Sequence, residues 1–213
     1  DKAVIKYEKK FSKIKLSPKN IKFSKNEIEM ISKKIDKNLK NSIDIAFKRI
    51  KQFHSKQKFS SFKYKDKYKN ELSYKFTPIE KIGVYVPGGT ASYPSTVLMN
   101  CIPAMVAGVK NIYLTTPALS SNVNPGIIYA AKKCGVNEIY KTGGAHSIAA
   151  LTYGTQTFKK VDKIVGPGNA YVASAKREVF GEVGIDMVAG PSEVTIVACL
   201  LYTSPSPRDS TLS

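Results

Sequence analysis

From Lys81 onward, the apolar runs Ile82–Val86, Asn111–Thr115, Glu138–Lys141 and Lys163–Val165 alternate with helical patterns at Ser95–Ala107, Asn124–Cys134, Ser147–Tyr153 and Ala170–Phe180. Strands separated by whole helices do not pair as hairpins, because each helix carries the chain back before the next strand begins. The grammar predicts an α/β fold: a Rossmann-like, mostly parallel sheet with helices on both faces. Ile185–Val188 and Glu193–Ala198 read as a final strand pair.

The preceding segment has a different period. Asp1 to Phe11 reads as the end of a helix, and Ser24-Lys25-Asn26-Glu27 is a capping box, in which hydroxyl and carboxylate satisfy free N–H groups reciprocally. Ile28, Ile31, Ile35, Leu39, Ile43, Phe47 and Ile50 follow at three- and four-residue steps. That stripe predicts one long amphipathic helix with Ile35 and Leu39 buried. Phe59, Phe62, Tyr64, Tyr68, Tyr74 and Phe76 alternate with polar residues, which predicts one or two short antiparallel strands packing a face onto the helices. The expected organisation is an N-terminal helical segment with short strands over residues 1–80, a Rossmann-like domain over 81–198, and a tail over 199–213. The Ser-Pro-Ser-Pro-Arg run suits neither sheet nor core and reads as non-native, and the chain reads as truncated at both ends.

A chain of 213 residues, 42% hydrophobic and 23% charged, suffices for one domain or slightly more. No 18-residue apolar stretch exists, so no membrane partner is expected. Asp1 to Lys10 is charged and lacks a signal-peptide core. Cys101, Cys134 and Cys199 are far apart and suit reduced thiols in a cytoplasmic protein, with Cys101 and Cys134 as small buried hydrophobes. The formal charge of +18 is concentrated in residues 1–80. Lysine is used almost to the exclusion of arginine, and acidic residues are interspersed, so solvated faces account for the charge better than a nucleic-acid patch.

Four glycine-rich turns follow strands: Tyr85-Val-Pro-Gly-Gly-Thr90, Thr142-Gly-Gly-Ala-His-Ser147, Val165-Gly-Pro-Gly-Asn-Ala170 and Val188-Ala-Gly-Pro-Ser-Glu193. Each lies at the carboxyl end of a strand, the edge where open α/β sheets bind ligands. Glycine lets a ligand approach the backbone, and the next helix start offers free N–H groups. Turns of this kind need glycine for their own geometry, but four on one edge favour a crevice for an anionic or nucleotide ligand. None is the ordinary dinucleotide fingerprint, since Tyr171 stands where the third glycine of G-x-G-x-x-G belongs. There is no P-loop lysine and no G-x-S-x-G elbow.

The blocks "GVYVPGG", "STVLMNCIPAMVAGVK", "GGAHSIAALTYGT", "VDKIVGPGNAYVASAKREV" and "IDMVAGPSEV" resemble histidinol dehydrogenase, over about residues 1–198. The resemblance implies a zinc- and NAD-dependent homodimeric enzyme of histidine biosynthesis. It oxidises L-histidinol to L-histidine in two steps through the aldehyde, using two NAD molecules. Carried over by position, Tyr85, His146 and Asn169 become NAD contacts and Ser192 a contact to the substrate. His146 stands where many members carry Gln; an imidazole makes single hydrogen bonds without the amide's paired geometry. In the family the zinc ligands and the Glu-His acid–base pair lie beyond the AGPSEV block. The resemblance therefore assigns no catalytic or metal-ligating residue here, and His54 and His146 are the only histidines. Two rival readings stay open: a related dehydrogenase acting on another amino- or sulfo-alcohol, and a basic helical module that holds nucleic acid.

Overall fold

The computed structural model describes residues 1–88, 93–118 and 123–187. Three helices open the chain: α1 (Lys2–Phe11), α2 (Lys25–Ser32) and α3 (Lys37–Ser55). A hairpin of β1 (Phe62–Lys65) and β2 (Glu71–Tyr74) follows. The α/β part comprises β3 (Lys81–Tyr85), α4 (Pro94–Ala107), β4 (Asn111–Thr115), α5 (Pro125–Lys133), β5 (Glu138–Tyr140), α6 (Gly144–Tyr153), β6 (Lys163–Val165), α7 (Ala170–Glu178) and β7 (Gly184–Ile185). Its five strands are parallel, in the order β5-β4-β3-β6-β7.

Alternation along each strand feeds two cores. Ile82, Val84, Ile112, Leu114 and Ile139 face one layer, with Val97, Ile102 and Ile128 of α4 and α5 and with Ile43 of α3. Tyr85, Tyr113, Tyr140 and Ile164 face the other, with Val4 of α1, Ile148 and Leu151 of α6 and Val172 of α7. Two faces that both carry buried apolar side chains require cover on both sides. The N-terminal segment supplies much of it. Residues 21–23 also run antiparallel to β5, where Phe23 N–H donates to Ile139 C=O and Lys141 N–H to Ile21 C=O. An edge strand that would otherwise expose its ladder is thereby covered.

The capping box forms as expected, with Ser24 N–H 2.7 Å from Glu27 Oε2 and Glu27 N–H 3.2 Å from Ser24 Oγ. The single long helix does not. The chain leaves the helix after Ser32 and starts another at Lys37, because Asp36 Oδ1 accepts from Asn38 N–H (2.9 Å) and Leu39 N–H (3.0 Å) and caps a new N-terminus. The stripe keeps its step across the break, so both helices still turn an apolar face inward. Ile43 is buried and Ile35 half-buried, but Leu39 is 37% exposed, contrary to its expected burial.

The hairpin forms in the expected region, yet neither of its faces packs on the helices. All eight strand residues are exposed, and the aromatics stack on one another instead. Phe62 lies 6.0 Å from Tyr74 at 12°, and Phe59 5.1 Å from Phe76. At the other end, Gly184–Ile185 pairs beside β6 where the strand Ile185–Val188 is expected, and Val188 lies outside the described residues. Glu193–Ala198 and the tail 199–213 lie outside the described residues. Cys101 and Cys134 are buried free thiols. The Cys101 thiol is pushed well up by the neighbouring Cys134 thiol and by burial, which suits packing and not nucleophilic chemistry.

Candidate functional site

The strand order fixes where a ligand would sit. From β3 the chain builds outward through β4 to β5, then returns to lay β6 on the other side of β3. The carboxyl ends of β3 and β6 flank the point where the order reverses, and open α/β sheets bind ligands there. Tyr85 closes β3 and Val165 closes β6.

Tyr85 links three of the four turns. Its own turn begins with it. Its hydroxyl, on a side chain only 3% exposed, accepts from Gly144 N–H at 3.1 Å, in the turn after β5. Its backbone closes against Gly166, in the turn after β6. Gly166 has φ +113°, and a Cβ there would stand 2.1 Å from Tyr85 C=O. Only glycine fits that approach. Burial lifts the Tyr85 phenol above its ordinary range; the Gly144 N–H opposes this and the charge of Glu8 adds to it. The hydroxyl therefore keeps its proton at neutral pH and has it free to donate.

His146 lies in the first turn of α6, beside a residue that the sequence did not single out. Glu8 of α1 is fully buried. Its Oε1 accepts from Gly143 N–H at 2.7 Å and meets His146 Nε2 at 2.8 Å. Burial works to raise the Glu8 carboxyl, but bonds from His146, Gly143 and Ser12 together outweigh it and hold the carboxyl below the usual range. The only sequence signal for Glu8 is its place four residues after Val4, on the buried side of α1.

The turn after β6 is gripped differently. Asp186 Oδ2 accepts from Gly166 N–H at 2.8 Å, and its Oδ1 pairs with Lys176 Nζ at 2.7 Å. Lys176 Nζ also donates to Gly166 C=O. Both backbone polar groups of Gly166 are thus held, by a lysine whose side chain is 5% exposed and an aspartate at 30%. Asn169 sits at the end of this turn and is exposed. Its Oδ1 caps α7 by accepting from Val172 N–H at 3.1 Å, so its side chain is tied to its own helix and not to the Tyr85–His146 cluster. Its amide N–H groups are what it can offer a ligand. Ser192 lies outside the described residues.

These residues fit a dinucleotide. Thr116 Oγ1, just past β4 at the same edge, is buried without a partner. Buried polar atoms left unsatisfied are costly, and a polar ligand would satisfy such groups. Zinc has no comparable fit: among the described residues no group of three or more His, Cys, Asp or Glu stands together. A groove of about 970 Å³ between Phe59, Phe76 and the α4 residues Pro103 and Val106 opens toward the amino ends of the strands, at the opposite edge.

The family model for histidinol dehydrogenase matches residues 1–199. The chain is 54% identical to the histidinol dehydrogenase of Pelagibacter ubique, over 96% of this chain and 47% of that protein. It is 50% identical to that of Mesorhizobium japonicum, over 93% of this chain and 46% of that protein. The crystal structure of histidinol dehydrogenase from Elizabethkingia anophelis superposes with a TM-score of 0.85 at 45% identity, covering 90% of this chain and 44% of that one. The chain spans about half the length of the curated relatives it matches.

Proposed function

The chain belongs to the histidinol dehydrogenase family, and from that premise we propose that it forms the dinucleotide-binding part of an NAD-dependent oxidoreductase. The reaction is oxidation of L-histidinol to L-histidine through histidinaldehyde, in histidine biosynthesis in the cytoplasm. The observation that carries this reading is the convergence of three glycine-rich turns on Tyr85 at the switch point of the sheet.

In this reading NAD, when bound, supplies the hydride acceptor. Tyr85 donates its hydroxyl proton, Asn169 offers amide N–H groups, and His146 contributes one ring nitrogen. Ser192 is assigned a contact to the substrate. Zinc and the acid–base residues are assigned to the half of the relatives' length that this chain does not span, and the working form to a homodimer. Nucleic acid and membrane are left out. Several lysines are engaged by carboxylates, as in Lys141–Glu27, Lys132–Glu29 and Lys133–Asp44, and no helix among the described residues is long and apolar enough to cross a membrane.

Titration of NAD into the chain by calorimetry tests the reading. Tyr85→Phe removes the donor and leaves the Gly144 N–H without its acceptor, so NAD should bind more weakly by about 1–2 kcal/mol. Equal affinity of parent and variant would remove Tyr85 from the site.

A further inference from the structure

We propose that Glu8 is a positioning residue of the cofactor site: it locks the His146 ring so that Nδ1 is the nitrogen left to accept a hydrogen bond from the dinucleotide. This rests on the dinucleotide reading above.

A fully buried carboxylate is expensive unless its lone pairs are used. Glu8 uses Oε1 twice, for Gly143 N–H and for His146 Nε2. A carboxylate held below its usual titration range only accepts, so Nε2 must carry the ring proton. Tyr7, one residue before Glu8, stacks on the imidazole at 5.9 Å and 29°. One side chain thus fixes the ring's edge and its neighbour fixes a face. The opposite edge lies beside Gly144, where a Cβ would stand 3.3 Å from His146 Cε1 and 3.5 Å from Nδ1, and the side chain keeps 11% exposure.

The lock has a chemical consequence. An amide at position 146 would present a donor and an acceptor together. An imidazole tied through Nε2 presents one acceptor, matched to an N–H or O–H donor such as a carboxamide, an exocyclic amine or a ribose hydroxyl. Glu8 therefore sets the polarity of the contact without touching the ligand.

With only two histidines in the chain, nitrogen-15 labelling of histidine reads the tautomer directly, and His146→Gln assigns the signal. Neutral His146 should carry its proton wholly on Nε2. In Glu8→Leu the ring should sample both tautomers and the Kd for NAD should rise about tenfold, as for a lost hydrogen-bonded partner. In a His146→Ala background, Glu8→Leu should leave the Kd for NAD unchanged, whereas a role limited to holding the Gly143 backbone would persist there. Mixed tautomers in the parent, or an undiminished Glu8→Leu loss in the His146→Ala background, overturn the proposal. Should Glu8→Leu fail to fold, Glu8→Gln decides: its amide oxygen still accepts, so a retained Nε2 proton supports the lock and a mixed tautomer overturns it. A parent chain that binds no NAD overturns the dinucleotide reading and the ligand contact with it, and the tautomer still reports on the Glu8–His146 pair.

Discussion

Two glycine-rich turns meet at Tyr85, and each is held by buried charge, but from opposite distances along the chain. The turn after β6 is gripped by Lys176 and Asp186, ten and twenty residues from Gly166. The turn after β5 is gripped by Glu8, 135 residues from Gly143. The near clamp closes within one β-α-β unit and holds the backbone N–H and C=O of Gly166. The far clamp crosses from the N-terminal helices and holds a side chain as well as a backbone N–H. The sheet can shape the first turn by itself, whereas the second is complete only when α1 has docked.

The largest effect should come from unbalancing the near clamp. Asp186→Ala leaves a buried lysine without its counter-charge and should cost about 3–5 kcal/mol in urea unfolding. Lys176→Met should cost about 1–2 kcal/mol, because Asp186 is less buried and keeps its bond to Gly166 N–H. Equal costs would mean that the charges act as independent hydrogen bonds and not as a pair.

A smaller effect is expected at Asn169, whose carboxamide serves both α7 and, in our proposal, NAD. Asn169→Ala should lose about 1 kcal/mol of stability as a missing cap and should also weaken NAD binding. Asn169→Asp keeps a capping oxygen and removes the amide donor, so thermal melts should match the parent while NAD titration still shows the loss. If both variants bind NAD like the parent, Asn169 is only a cap.

The smallest effect sharpens the far clamp through pH. The folded Glu8 carboxyl titrates below its unfolded value near 4.5. Its contribution is therefore present above about that pH and fades as pH falls through the folded value. The stability difference between parent and Glu8→Gln should be constant near neutrality and shrink in acid. A difference that instead grew as pH fell would reverse the sign assigned to the carboxylate.

The β–α alternation was legible because apolar runs such as Lys163–Val165 end on glycine-rich turns, and those turns marked the edge that carries the site. The break before α3 was harder to read. Ile31, Ile35 and Leu39 keep a four-residue step across it, so the apolar period ran on while Asp36 ended one helix and began another. Alternating aromatics identified the hairpin but could not say what would cover it. Glu8 was hidden for a further reason: one carboxylate in a lysine-rich helix has the composition of a solvated face, and only its partners 135 and 138 residues away reveal its burial. Lys176 and Asp186 lay inside family-like blocks, yet their joint grip on Gly166 depends on β7 lying beside β6.

The hairpin has a consequence for how the molecule is assembled. Its register, Phe62 opposite Tyr74 and Lys65 opposite Glu71, joins residues twelve and six apart, and the loop from Asp66 to Asn70 closes on its own hydrogen bonds. Such local pairing forms on the microsecond scale. The central pairs β3–β4 and β3–β6 must first close loops of about 30 and 80 residues, and non-local closure of this kind sets the pace of folding. The exposed hairpin is thus an early event off the critical path, and changes within it should alter surface behaviour while leaving the folding rate of the sheet where it was.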